Sequence, residues 1–350
     1  MTEGMPHTLW HEIHEQPQAI RDTIAESSND IIKLAKQLRE KDIRHVLLVA
    51  RGASDNAASY ARYLFGAVNG VLVTSVASSL FTLYEADIDI SNTLVLGISQ
   101  SGEATDVIDV LEMAGKRGAL TAALTNTPDS PICRVAQMPL LTRARREESV
   151  PATKTYTTAL AVLHQLASHW AQDTKMADAI QAVPELMHEV FELEPEIEDK
   201  SQRYRFLESC VVLARGLNFC TAQEIALKMA DCALVLPAAF SAADFMHSAI
   251  GAIRRDVACI LVAPIGDALG SMLELAMELD ERNAEVLTIS NEASLREVGA
   301  VSLQLPAPMP EHITPMVAIV AGQLLSYYIA LHKGLNPDRP PGRRKVTRTW

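Results

Sequence analysis

The chain has 350 residues, 48% of them hydrophobic and 21% charged, with a formal net charge of −12. That length holds two ordinary domains or one large one with a substantial core, and the balance excludes a disordered chain. The acidic total excludes the clustered basic face that nucleic acid requires, so no nucleic-acid partner is expected; the one strongly basic stretch is "NPDRPPGRRKVTRTW" at the end.

The first twenty residues lack a basic start followed by an apolar segment, so no leader is expected. No uninterrupted run of about eighteen apolar residues occurs, so no membrane span is expected either. Cys133, Cys210, Cys220, Cys232 and Cys259 are odd in number and form no CxxC pair. They read as reduced thiols of a cytoplasmic protein. The histidines show no HExxH spacing, and His7, His11 and His14 share at most one helix face, so no metal is expected.

In chain order, residues 1–35 read as a helical lead-in. "HVLLVARG" is a short β-branched run ending in glycine, and "ASDNAASYARYLFGAV" is helical in composition. "GVLVTSVA", "TLVLGIS" and "LTAALTN" are further strand-like runs. Such alternation predicts a parallel sheet with helices on both faces. The order then repeats: "CVVLARGLNFCTAQEIALKMA", "ACILVAPIGDALGSMLELAMEL" and "AEVLTIS" follow the first set at an offset of about 165 residues, far longer than a solenoid unit. Each set carries an Ala-Arg-Gly triplet at a strand end. The expected fold is α/β, two tandem doubly wound, flavodoxin-like domains related by duplication, over 36–190 and 191–335, with a tail at 336–350. The acidic "ELEPEIEDKSQRY" reads as the boundary between them.

"TLVLGIS" hands over to Ser99, Gln100, Ser101 and Gly102 just before Val107, Ile108, Val110 and Leu111 recur at helical spacing. In open parallel sheets ligands bind beyond the carboxyl ends of strands. A helix N-terminus offers unpaired N–H groups and partial positive charge, and hydroxyls with a glycine add donors and close approach, so this corner suits a phosphate. An N-cap alone requires one such residue. The loop matches neither GxxxxGK[ST] nor GxGxxG, which points to a small phosphorylated metabolite.

Together "EIHEQPQAI", "ARGASDNAA", "ISQSGEATD", "TNTPDSPICRVA", "EESVPATKTYTTAL", "ARGLNFCTAQEIALKMAD", "AAFSAADFMHSAI" and "NPDRPPGRRKV" resemble the SIS (sugar isomerase) family. The likeness is to the isomerase half of glucosamine-6-phosphate synthase and to stand-alone deaminases. It implies phosphate binding by Ser99, Gln100, Ser101 and Gly102. Thr105 stands one place after Ala104, where the family carries its usual threonine. Gly52 and Ser54 of "RGAS" match a substrate-contacting segment, with Ser54 also readable as an N-cap. Val150 matches a backbone contact, and Ala152 stands where the synthase has a serine.

Glu224, Lys228 and Asp231 lie at i, i+4 and i+7, one helix face. An ordinary solvated Glu–Lys pair is the plain reading, but the surrounding apolar residues favour a row that lines a cleft. Aldose–ketose chemistry needs a base that moves a proton between C1 and C2, and a carboxylate suits that work. The resemblance gives this role to Asp231, where the family has Glu, with Glu224 in reserve. It gives ring opening to His247, reaching the site from a neighbouring subunit, and covering of the sugar to Lys345. A phosphorylated sugar, a homodimer with a shared site and no cofactor are thereby implied. The start at Met1-Thr2-Glu3-Gly4 leads to the expectation that the glutaminase half is absent. Three readings stay open: an aminosugar-phosphate isomerase or deaminase; a deglycase or plain aldose–ketose isomerase; and a non-catalytic sugar-phosphate binder.

Overall fold

The computed structural model describes residues 7–255, 257–342 and 345. Residues 1–6 of the expected lead-in, and 343, 344 and 346–350 of the expected tail, lie outside them. The chain opens with α1 (Thr8–His14) and α2 (Gln16–Glu40), then runs β1 (His45–Ala50), α3 (Ala53–Asn69), β2 (Leu72–Ser75), α4 (Ser79–Thr82), β3 (Thr93–Ile98), α5 (Thr105–Lys116), β4 (Leu120–Thr125), α6 (Pro131–Val135) and β5 (Met138–Leu141). Helices α7 (Lys154–Ala171), α8 (Thr174–Ala179), α9 (Val183–Phe191) and α10 (Glu194–Ser201) follow. The second set is β6 (Ser209–Ala214), α11 (Phe219–Ala233), β7 (Leu236–Ser241), α12 (Ala242–His247), β8 (Ala258–Val262), α13 (Leu269–Glu281), β9 (Glu285–Ser290), β10 (Val301–Gln304) and α14 (Thr314–His332).

Two five-stranded parallel sheets result, ordered β2-β1-β3-β4-β5 and β7-β6-β8-β9-β10. Both are the same doubly wound order, read in the same chain sequence, which is what a duplication leaves behind. Strands β3, β4 and β8 are buried at every position, which is why they are continuous apolar runs rather than alternating ones. β5 and β7 escape a hydrophobicity reading because they are edge strands that carry Pro139 and Pro237, tolerated only where no ladder partner needs the N–H.

The compact units are not continuous in the chain. Residues 18–147, 154–181 and 345 form the first unit; residues 7–17, 148–153 and 182–342 form the second. The lead-in is therefore divided, because α1 packs on α14 and Asp338 caps it: the Asp338 carboxylate accepts from the Thr8 and Leu9 amides at 3.0 and 2.8 Å. The expected acidic boundary is instead helix α10, inside the second unit, where Pro195 opens the helix and Ile197 packs inward.

Sequence reading also missed α14. It is long and apolar enough to cross a membrane by length and composition, with a window of mean hydropathy 1.5, yet that window is 100% buried within the protein. Gln323 and Ser326 interrupt the apolar run, and both find partners, Gln16 Nε2 at 2.7 Å and the Gly322 carbonyl at 2.8 Å. α14 is the core helix of the second unit, packed by α1, α9, α10 and α11.

Candidate functional site

In the first unit Ala50 of β1 lies opposite Ile98 of β3, and the strand order reverses at this pair, so both strands deliver their loops to one corner. Ser99 is buried, and its N–H donates to the Leu124 carbonyl at 3.0 Å. The Gln100 carbonyl accepts from Asn126 N at 3.0 Å and Thr125 Oγ1 at 3.2 Å. The loop is thus pinned by the end of β4. Gly102 has φ +69° and is buried; a methyl there would collide with Ser130, so two separate constraints demand glycine.

The N-cap of α5 is Ala104, with no side-chain cap, while Ser101 Oγ accepts from Glu103 N at 3.2 Å. Ser101 is therefore not the cap of this helix, since the N-cap position falls three residues past it. Thr105 is the exposed first residue of α5. Ser54 is likewise not a cap: that position is Gly52, at φ +59°, and Ser54 is the second residue of α3. Arg51, between Ala50 and Gly52, pairs its guanidinium with Asp106 of the first turn of α5 at 2.7 Å, holding a cation beside the corner. No sequence signal linked these two residues.

In the second unit, Glu224, Lys228 and Asp231 are 0%, 1% and 3% exposed. This is not the solvated helix pair that local spacing permits, because α11 is covered by β6, β7 and α14. Lys228 Nζ lies 3.1 Å from Glu224 Oε1 and donates to the Ala152 carbonyl at 2.8 Å. Burial would lower the Lys228 pKa, but the Glu224 and Asp231 carboxylates outweigh it and hold the ammonium above the ordinary lysine value. Burial pushes the neighbouring Cys232 thiol up to about 12. A fixed cation between two carboxylates, in a water-poor setting, is equipped to stabilise a developing oxyanion while an acid group moves a proton.

The segment 148–153 is tied to the same unit through its backbone. Val150 N donates to the Asp338 carbonyl at 3.1 Å. The buried Glu12 carboxylate accepts from Ser149 N at 3.2 Å and also from Glu148 N and Ser149 Oγ. Neither Glu12 nor Asp338 stands out in the sequence, since their partners lie more than a hundred residues away. Lys345 Nζ pairs with the buried Glu147 at 2.6 Å, in the first unit, and Glu147 also holds Thr155 through N at 3.1 Å and Oγ1 at 2.7 Å. His247 ends α12 and is exposed. Among the described residues no group of three His, Cys, Asp or Glu is placed to hold a metal.

A family model described as the SIS domain matches residues 26–169 and 208–333. The glutamine–fructose-6-phosphate aminotransferase (isomerizing) of Pyrococcus horikoshii is 31% identical over 345 residues, covering 96% of this chain and 57% of its own length. That of Methanothermobacter thermautotrophicus is 31% identical over 344 residues, covering 98% and 57%. The chain thus spans a little over half the length of the curated relatives it matches. Among solved structures, the C-terminal domain of glucosamine-fructose-6-phosphate aminotransferase from Francisella tularensis superposes with TM-score 0.88 at 26% identity, covering 97% of this chain and 99% of that one. A glucosamine-6-phosphate deaminase from Thermotoga maritima shares the fold at TM-score 0.71 and 22% identity, over 95% and 100%.

Proposed function

Given that the chain belongs to the SIS domain family, we propose that it is a sugar-phosphate isomerase whose reaction is the conversion of glucosamine-6-phosphate, or a near analogue, to fructose-6-phosphate and ammonia. The observation that carries this is the Ser99–Gly102 loop, pinned at the order reversal of a parallel sheet and followed by α5. In this reading the Ser99 and Ser101 hydroxyls, the Gln100 amide and the first amides of α5 hold the phosphate. Gly52 and Ser54 open the neighbouring helix against the sugar. The activities of the similar proteins support the class of substrate.

The Asp231 carboxylate takes the C2 proton of the ring-opened aldehyde and returns it to C1. Lys228 stabilises the enolate oxygen on C1 until it takes a proton from the C2 ammonium group; protonation at C1 then leaves a C2 iminium, which water hydrolyses to the ketone and ammonium. Glu224 keeps Lys228 charged. His247 assists ring opening from a neighbouring subunit, which makes the working form a homodimer. Lys345 covers the sugar after leaving Glu147, while Val150, Ala152 and Thr105 line the substrate.

Thermal shift with a panel of sugars tests the reading, since a ligand that binds only the folded form raises the melting point. Glucosamine-6-phosphate is expected to raise it and unphosphorylated glucosamine not to, and an ammonia assay should then detect turnover. Binding without turnover would remove the chemistry, and no response to any hexose phosphate would remove the loop's role. Mass spectrometry of the products separates deamination from cleavage of a sugar–amino-acid adduct, for which the replacements at Ala104, Ala152 and Asp231 leave room. Sedimentation velocity checks the dimer.

A further inference from the structure

The second unit repeats the phosphate corner and fills it with its own carboxylate. Strand β6 lies beside β8 where the second sheet's order reverses, and "VAPIGDAL" after β8 occupies the place of "ISQSGEAT" after β3. Ala263, Pro264 and Ile265 stand where Ser99, Gln100 and Ser101 stand, so every hydroxyl and amide side chain is gone. Two loop amides are taken by side-chain oxygens of the same unit. Ile265 N donates to Asn291 Oδ1 at 2.7 Å, and Asp267 N donates to Glu311 Oε2 at 2.8 Å.

The Glu311 side chain lies where a methyl on Gly266 would fall, and its Oε1 is 3.9 Å from the place of a methyl on Gly216, at the end of β6. In the first unit the space at Gly52, the counterpart of Gly216, is open, with nothing within 4 Å, and at Gly102, the counterpart of Gly266, the Ser130 hydroxyl rather than a carboxylate stands where a methyl would fall. Glu311 thus sits between the two strand ends that make the corner, one of which carries the exposed Arg215 just before Gly216. The exposed carboxylate of Asp267 is not what distinguishes the corners, because Glu103 is its exposed counterpart in the first.

We propose that Glu311 is a resident anion that closes a second oxyanion site, and that removing its carboxylate opens this corner to inorganic phosphate or sulfate. The loop amide, the preceding arginine and the N-terminus of α13 remain after the duplication, and a tethered carboxylate excludes a free anion by occupying its place at far higher effective concentration. The inference does not depend on what the first corner binds.

Equilibrium dialysis of the full chain against labelled inorganic phosphate tests it by counting. Glu311→Ala is expected to bind one more phosphate per chain than the parent, whatever number the parent binds. Glu311→Gln, which still fills the corner, is expected to gain none or a weaker one. No gain in Glu311→Ala overturns the proposal. If that variant fails to give a parent-like circular dichroism spectrum, Glu311→Ser carries the same count. Parent crystals soaked in sulfate give an independent arm: the corner should hold only Glu311, and a sulfate on Asp267 N with Glu311 displaced would overturn the closure. A parent that binds no phosphate, with a variant that binds one, would count against the first corner and not against this one.

Discussion

The two units keep one topology and differ in what their loops and helix faces carry. In the first, the corner after β3 keeps its hydroxyls and the space at Gly52 is open, while the helix after β1 carries Tyr60, Leu64 and the apolar Ala67 at the positions of Glu224, Lys228 and Asp231. In the second, the corner after β8 is filled by Glu311, while α11 buries a carboxylate–lysine–carboxylate row. One copy has a corner with hydroxyl side chains and an uncharged row on the matching helix face; the other has a corner occupied by Glu311 and a charged row. A duplicated scaffold can hold its fold through strand order and core alone, which leaves loop and helix-face residues free to diverge.

The sharpest way to break this comparison is the proposed base. Asp231→Asn should lower kcat by about 1,000-fold with KM little changed, as expected for a group that moves a proton; steady-state assay of ammonia release checks it, and a fall of less than tenfold would transfer the role elsewhere. Lys228→Met strands the two carboxylates, and breaking a buried pair in this way costs roughly 3–5 kcal/mol. Urea unfolding should show that loss, whereas Leu64→Met at the matching place in the first unit should cost under about 1.5 kcal/mol.

The corners come next. Ser99→Ala with Ser101→Ala should cut kcat/KM by about 100-fold through weaker phosphate contacts. Ile265→Ser, which restores a hydroxyl to the closed corner, should change it by less than about twofold, because the Glu311 carboxylate still fills the place. Equal effects at both corners would erase the asymmetry.

A smaller test concerns how the second unit anchors α1. Burial would raise the Glu194 pKa, but hydrogen bonds from His14, Tyr328 and Trp10 outweigh it and hold the carboxyl below its ordinary value near 4.5. The donors stand at 2.9, 2.7 and 2.6 Å. A carboxyl depressed on folding contributes stability that is present above the unfolded pKa and lost as pH falls through the folded one. Glu194→Gln should therefore destabilise by about 2 kcal/mol at pH 7, and the difference should shrink as the pH falls below about 4.5. Denaturation at several pH values reads it; a gap that is constant with pH would remove the charge from the account.

Much of this was legible in the chain. β3, β4 and β8 are apolar because both faces of a parallel sheet are covered, so they announce themselves; β5, β7 and β10 are edge strands with weak patterns, so they do not. The Ser99–Gly102 loop stands out because a strand-to-helix turn of hydroxyls, an amide and a glycine is a local pattern of residue types in a local order. The Glu224–Lys228–Asp231 spacing was visible too, but spacing alone fits a solvated face equally well.

The class of fold, its repetition and the make-up of the first corner are all written in the chain, since periodicity and loop composition act within a few residues of one another. It takes the packed chain to bury the charged row, to set Arg51 against Asp106, to bring Glu12 to Ser149 and to carry Glu311 into a corner 44 residues away. Those contacts depend on which distant side chain the packed core brings within about 3 Å, and no local pattern encodes that.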